Sequence, residues 1–296
     1  MDTLEFICDY KEKDDLRQSF NELANSIFGI TFESWFANGF WTEKYIPFSY
    51  TDGNKVVANV SVNFMNILIN GETKRGIQIG TVMTHPDYRN KGLSKKLMNK
   101  VLEKYEGSYD IMYLFANHSV LDFYPKFGFK RIEETQFISN IVDSHHTDVN
   151  ATELIKLNGN NFKDLQFIYQ FAKNRSPISN EFAVMNTEEL LLFYCLNAFP
   201  NDIYYLEEEQ VIVIFKIVEE ENELHIYDVI SHKIVDLLKI VNCISLESTK
   251  KIHYHFTVDG LHTNTKTFNG SEVLFIRCDN ETNLPKKFKH PLTSQA

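Results

Sequence analysis

Two clusters of residues with chemical potential lie between Gly80 and Phe129. The first runs Gly80-Thr81-Val82-Met83-Thr84-His85-Pro86-Asp87-Tyr88-Arg89-Asn90-Lys91-Gly92-Leu93-Ser94, and the second is Asp122-Phe123-Tyr124-Pro125-Lys126-Phe127-Gly128-Phe129. An apolar segment ends at Thr84, Pro86 breaks it, and Leu93, Leu97, Met98, Val101 and Leu102 share one face of a helix opened by the loop from Arg89. A strand, a tight turn and a helix therefore follow one another. The first turn of a helix carries N–H groups with no intrahelical partner and the positive end of the macrodipole, so an anion belongs there. Gly92 lets backbone approach a ligand closely, and Arg89, Lys91, Lys95 and Lys96 add charge suited to a pyrophosphate. The spacing is neither Gly-x-x-x-x-Gly-Lys-Ser/Thr nor Gly-x-Gly-x-x-Gly, which disfavours ATP-type and dinucleotide sites.

At these residues the chain resembles the GNAT superfamily of acyl-CoA-dependent N-acetyltransferases. The family's pyrophosphate loop reads Arg/Gln-x-x-Gly-x-Gly/Ala, and Arg89-Asn90-Lys91-Gly92-Leu93-Ser94 matches it except for Ser94 in the last small position. A strand over Tyr109 to Ala116, then Asn117, then Phe123 to Phe129 is similar to the family's Asn followed by Phe/Leu-Tyr-x-x-x-Gly-Phe. The resemblance implies acetyl-CoA as cosubstrate, no metal, and a primary amine as acceptor, small and cationic or on a peptide, attacking directly in a ternary complex. It implies that the backbone of Val82, Met83 and Thr84 pairs with the pantetheine arm and polarises the thioester. Arg89, Asn90, Lys91, Gly92, Leu93 and Ser94 would hold the pyrophosphate, Asn117 would contact the CoA arm, and Tyr124 would protonate the leaving sulfur.

One departure concerns the base. Many family members carry a Glu on the strand entering the loop, whereas this chain reads Gln78-Ile79-Gly80-Thr81. A water chain, a carboxylate such as Glu33 or Asp122, and a contribution from the second half stay open. Similar tandem GNAT proteins use the C-terminal carboxylate, a role that the polar, basic tail is not expected to give Ala296. The alternative to an enzyme is a non-catalytic acetyl-CoA-binding sensor or interaction module that kept the loop and lost the base.

The 296 residues correspond to about two average domains. A formal net charge of -10 makes the basic loop a local patch and argues against nucleic acid as partner. The same acidity is consistent with attracting a cationic amine and equally with plain solubility. The start, Met1 to Asp9, is acidic where a secretory signal needs basic residues, and no apolar run is long enough to cross a bilayer, so a cytoplasmic protein without a membrane partner is expected. Cys8, Cys195, Cys243 and Cys278 lie far apart, which excludes a Cys-x-x-Cys zinc or redox motif and points to reduced thiols.

The elements that must position these residues predict an α/β (mixed α+β) protein: a GNAT-like mixed twisted sheet flanked by helices over 1–142, then a second, degenerate GNAT-like domain over 150–296. The first half reads as strand Leu4 to Cys8, helices Lys11 to Phe28 and Thr31 to Gly39, and strands Tyr45 to Tyr50, Lys55 to Asn66 and Gly76 to Thr84. The loop and its helix follow, then strand Tyr109 to Ala116, a short helix through Asp122, and one last strand from Phe129 to Ile138. Asp143-Ser144-His145-His146-Thr147-Asp148-Val149-Asn150 reads as a linker. Helices near Asn161 to Lys173 and Thr187 to Phe199 come next, then strands Asp202 to Leu206, Gln210 to Val218 and Glu223 to Ile230, a helix His232 to Val241, and strands Lys251 to Val258 and Glu272 to Cys278. Leu224 to Lys233 occupies the place of the first half's loop but has no Gly and no basic cluster. His253 and His255 alternate along a strand without a third ligand in view, and read as ordinary strand residues. Lys286-Lys287-Phe288-Lys289-His290 reads as part of a frayed, solvated tail.

Overall fold

A computed structural model describes residues 4–141, 154–278 and 283–296. Strand β1 (Glu5–Cys8) precedes helices α1 (Asp14–Phe28) and α2 (Glu33–Ala37), and the antiparallel strands β2 (Tyr45–Asp52), β3 (Lys55–Ile69) and β4 (Glu72–Thr84) follow. Two-residue turns, Gly53-Asn54 and Asn70-Gly71, join β2 to β3 and β3 to β4. Helix α3 (Leu93–Tyr105) then crosses over to β5 (Ile111–Asn117), which runs parallel to β4. The periodicity of α3 explains its seat: Leu93, Leu97, Met98 and Val101 are buried in one cluster with Val60, Val62, Ile77 and Ile79 of the sheet.

The remaining elements are β6 (Lys130–Ile132), β7 (Thr135–Asn140), β8 (Leu154–Leu157), α4 (Phe162–Ala172), β9 (Phe182–Met185), α5 (Glu188–Asn197), β10 (Ile203–Leu206), β11 (Val211–Val218), β12 (Glu223–Ser231), α6 (Leu237–Ile244), β13 (Lys251–Tyr254), β14 (Asn264–Thr267) and β15 (Glu272–Arg277). They build two mixed sheets. The first has the order β1-β2-β3-β4-β5-β15-β6 with β9 added to the end of β3, and the second has the order β14-β7-β13-β12-β11-β10-β8. Each sheet holds three consecutive antiparallel strands, a helical crossover and a parallel fourth strand; β12, α6 and β13 repeat the arrangement of β4, α3 and β5.

The two sheets exchange strands. Between β5 and β6 lies β15 from the end of the chain, and between β13 and β14 lies β7 from the first half. The single strand expected from Phe129 to Ile138 is therefore two strands in two sheets, divided at Glu133-Glu134. Strand propensity alone reads straight through this break, because both flanks are β-compatible and the switch is set by pairing with distant strands. The segment expected as a short helix through Asp122 consists of turns leading into a single helical turn, Tyr124–Phe127. The expected linker and the boundaries 142 and 150 lie outside the described residues. Among the described residues no helix is long and apolar enough to cross a membrane.

The two halves also share a core. Phe20, Trp35 and Trp41 of the first half cluster with Leu191, Leu192 and Cys195 of α5. Polar ties complete the seam: Trp35 Nε1 donates to the Glu189 carbonyl at 2.6 Å, and Lys44 Nζ lies 2.8 Å from both Glu188 and Glu189.

The tail is not frayed. Lys286 and Lys287 are exposed as expected, yet Phe288, Lys289 and His290 are buried. Lys289 Nζ donates to Glu134 Oε1 at 2.9 Å, and the same oxygen accepts the His290 N–H at 2.9 Å. Thr257 Oγ1 bonds both backbone groups of Lys289. Further on, Thr293 Oγ1 donates to Asp228, whose carboxylate is gripped by two Arg175 nitrogens at 3.0 and 2.6 Å. A lysine leaves water when a buried carboxylate waits for it, and the turn between β6 and β7 supplies one from 155 residues away. Replacing Glu134 by Ala leaves that ammonium uncompensated and is expected to cost about 3–5 kcal/mol of stability, measured by urea unfolding; a change within experimental scatter would show that Lys289 finds water instead.

Candidate active site

The site begins with a change of pairing in β4. Gly76–Ile79 pair in parallel with Ile111–Leu114, and beyond Ile79 the two strands part. On its other edge β4 slips register against β3 between Asn59 and Ser61, where Thr81 adopts a φ of +48°. One extra residue on one strand bends it and sharpens its twist. Strand β5 stays tied on its far side to β15, with Asn117 opposite Glu272. The result is a wedge whose β4 wall, Val82 to Thr84, keeps backbone groups facing β5 unpaired by that strand. Such an edge accepts an extended ligand as a further strand.

A cavity of about 580 Å³ occupies the wedge. From the first half Val82, Met83, Thr84, Ser94, Asn117 and Tyr124 border it; from the second half come Phe193 and Tyr194 of α5, Glu272 of β15, and the last residues Gln295 and Ala296. At one side α3 begins. Its first turn has no side-chain cap, Gly92 takes φ +72° and Asn90 φ +61°, and a Cβ built on Gly92 would point into open space. Arg89, Lys91, Lys95 and Lys96 are exposed around it, with Lys91 Nζ 4.4 Å from the centre of the Tyr88 ring and Arg89 Nε 3.4 Å from the Thr84 carbonyl. Ser94 Oγ lies 2.8 Å from Thr84 Oγ1 and ties the helix start to the strand. Helix α6, the counterpart in the second half, differs here. Asp236 caps it, accepting from Leu238 N at 3.0 Å and Lys239 N at 3.3 Å, so a carboxylate already sits where an anion would.

Tyr124 sits on the helical turn after β5, among Phe123, Phe129 and Phe275. Burial, helped by the charge of Glu272, pushes its phenol up to about 12. Asn117 ends β5 and borders the cavity, and its Oδ1 accepts from the Ser119 N–H at 3.0 Å.

Of the carboxylates weighed from sequence, Glu33 is engaged by Arg17 at 3.1 Å and by Asn21 at 3.2 Å, and Asp122 is exposed; neither borders the cavity. The acidic side chain that does is Glu272, an exposed residue at the start of β15 on the cavity rim, where partial desolvation raises its carboxyl above the ordinary value. Its charge also helps raise Tyr194, after burial. Sequence reasoning missed Glu272 because no local motif marks it; the one signal is an acidic residue opening an otherwise apolar strand. Ala296 also reaches the cavity. Gln78 Nε2 donates to its carbonyl oxygen at 3.4 Å, and Gly80 makes room for it, since a Cβ there would come within 2.8 Å of that oxygen.

Comparison with known proteins bears on the family of the first half and on the fold. Residues 12–132 match the family described as Acetyltransferase (GNAT) domain. No curated protein matches the sequence. Among solved structures, a conserved protein of unknown function from Enterococcus faecalis V583 is similar at a TM-score of 0.65 and 14% identity, over 94% of this chain and 73% of its own. Eis1 from Mycobacterium abscessus is similar at 0.59 and 11%, over 93% and 73%, and a GCN5-related N-acetyltransferase from Kribbella flavida at 0.58 and 14%, over 93% and 72%. At such identities the likeness is one of fold.

Glu272 makes the pH dependence of stability specific. A carboxyl raised in the folded state binds its proton more tightly there than in the unfolded chain, so its contribution is lost as pH rises from the ordinary carboxylate value through the raised one. Glu272→Gln, which cannot ionise, is therefore expected to gain stability relative to the wild type between acid and neutral pH, read from urea midpoints across that range. Parallel curves would mean that the carboxylate is well solvated.

Proposed function

We propose that this protein, whose residues 12–132 match the GNAT acetyltransferase domain family, transfers an acetyl group from acetyl-CoA to the primary amine of a small molecule or peptide by direct attack in a ternary complex. The observation that carries the reading is that an uncapped helix start, the free edge of β4 and Tyr124 border one cavity. In this reading Arg89, Asn90, Lys91, Gly92, Leu93 and Ser94 hold the pyrophosphate, and the backbone of Val82, Met83 and Thr84 takes the pantetheine arm as an added strand. Asn117 contacts the arm through its side-chain amide. The amine approaches from the second half, past α5, Glu272 and the tail.

Attack forms the C–N bond and places negative charge on the carbonyl oxygen, which β4 backbone N–H groups stabilise. Collapse breaks the C–S bond. The thiolate takes its proton from Tyr124, a donor that its raised pKa keeps protonated at neutral pH. The amine's proton goes to a carboxylate, either Glu272 or, where a chain ends at Ala296, its terminal group. A carboxylate beside a protonated phenol supports catalysis over a non-catalytic binding module. The repeated strand order and the self-capped α6 support a tandem whose second unit binds no acetyl-CoA, hence one cosubstrate per chain. The wide spacing of the four cysteines, with no Cys-x-x-Cys pair, fits a cytoplasmic setting.

Free-thiol release from acetyl-CoA over a panel of polyamines, aminoglycosides, amino acids and peptides tests the reaction. Tyr124→Phe keeps the ring and is expected to lower turnover about 10²- to 10⁴-fold with little loss of acetyl-CoA affinity. A fall confined to affinity would reduce Tyr124 to a packing residue, and no thiol release with any amine would favour the binding module.

Gly92→Val is expected to abolish the acetyl-CoA-induced rise in unfolding temperature, because the branched side chain strains a φ of +72° and fills the space above the helix start. An unchanged rise would move the pyrophosphate elsewhere.

A further inference from the structure

Away from the cavity, the second sheet gathers histidines from neighbouring strands. Strands β12 and β13 run parallel with His225 opposite His253, and Glu223 precedes His225 by two residues, on the same face of the strand. The rings of His225 and His253 stack 4.5 Å apart at 4°. Their Nε2 atoms converge on one oxygen: Glu223 Oε2 is 3.0 Å from His253 Nε2 and 3.7 Å from His225 Nε2. His253 Nε2 is buried, and its contact with Glu223 Oε2 has the length of an ion pair without the direction of a good hydrogen bond. Such an atom calls for an explanation.

We propose that Glu223, His225 and His253 form a binding site for a divalent transition metal of the zinc class, through Glu223 Oε2 and the two Nε2 atoms. The three ligand atoms lie within 4.8 Å of one another. Tetrahedral zinc with bonds near 2.0–2.1 Å sets its ligands about 3.3 Å apart, so closure needs shifts of up to about 1.5 Å and a tilt of the two imidazoles out of their parallel stack, bringing both ring planes onto the ion. Two imidazoles and a carboxylate are a donor set for zinc, cobalt, nickel or copper and a poor one for magnesium or calcium.

The outer partners strengthen the assignment. A histidine that ligates through Nε2 is oriented by a bond at Nδ1. His225 Nδ1 lies 3.1 Å from His255 Nε2, and His253 Nδ1 lies 3.1 Å from the side-chain amide of Gln136, which offers oxygen or NH2 by a flip. Gln136 sits on β7, the strand lent by the first half. Lys251 occupies the other carboxylate oxygen of Glu223 at 3.0 Å, which lowers the affinity but leaves Oε2 to the metal. The His253/His255 pair visible in sequence lacked a third ligand; the parallel strand supplies two.

The test uses the full chain without a histidine tag, stripped with EDTA, and titrated with Zn²⁺ by calorimetry and with Co²⁺ by absorbance. One equivalent is expected, with a Zn²⁺-dependent rise in unfolding temperature that Mg²⁺ does not give. His253→Ala and the shape-conserving Glu223→Gln should lose both signals, and His255→Phe should weaken binding about 10- to 100-fold. Urea unfolding of each variant without metal verifies that it is folded. No binding to the folded wild type, or binding unchanged in folded Glu223→Gln and His253→Ala, would overturn the site and assign any uptake to other histidines.

Discussion

The reciprocal exchange of strands holds this protein together. Each sheet lacks the strand that would stand beside its parallel pair, and each receives it from the other half of the chain: β15 in one direction, β7 in the other. An open slot between β5 and β6 would leave backbone donors and acceptors of two strands without partners in the interior, where each unmade bond costs more than a made one returns. Neither half can therefore satisfy its own sheet. The shared aromatic core around Trp35 and the Lys44 contacts with Glu188 and Glu189 follow from this arrangement, since strands passing in both directions hold the two sheets close enough for side chains to interdigitate.

The cavity depends on the same exchange. By binding the outer edge of β5, β15 anchors that strand while β4 bends away at its bulge, and the wedge stays open. The exchange also delivers Glu272 to the cavity wall, so the piece that completes the sheet brings an acid to a pocket whose first-half polar side chains are the hydroxyls of Thr81, Thr84 and Ser94, the phenols of Tyr45 and Tyr124 and the amide of Asn117. The buried tail adds a second route from the far end of the chain. Lys289 on Glu134 and Thr293 on Asp228 fix its course, and Ala296 arrives beside Gly80.

Much of this was legible from local pattern. The helix start at Gly92, the strand before it and the tyrosine turn carry their signals within a few residues, because turn chemistry, capping and periodicity are short-range constraints. What escaped was decided at long range. Glu133-Glu134 looks like any polar pair in a strand until Lys289 is brought to it, and the tail reads as solvated because a lysine's burial depends on a partner elsewhere in the sequence. Glu272, Ala296 and the meeting of His225 with His253 belong to the same class: each is ordinary in its own segment and acquires meaning from a neighbour placed by sheet order.

The parted ends of β4 and β5 lead to a view of the protein as a sheet with one rung missing. A strand edge left free on the surface would invite pairing with other chains, yet this one borders a cavity walled by residues of both halves. In the proposed reading, a slender guest bearing amides of its own is taken as the missing rung, so that recognition and folding draw on the same kind of hydrogen-bond ladder.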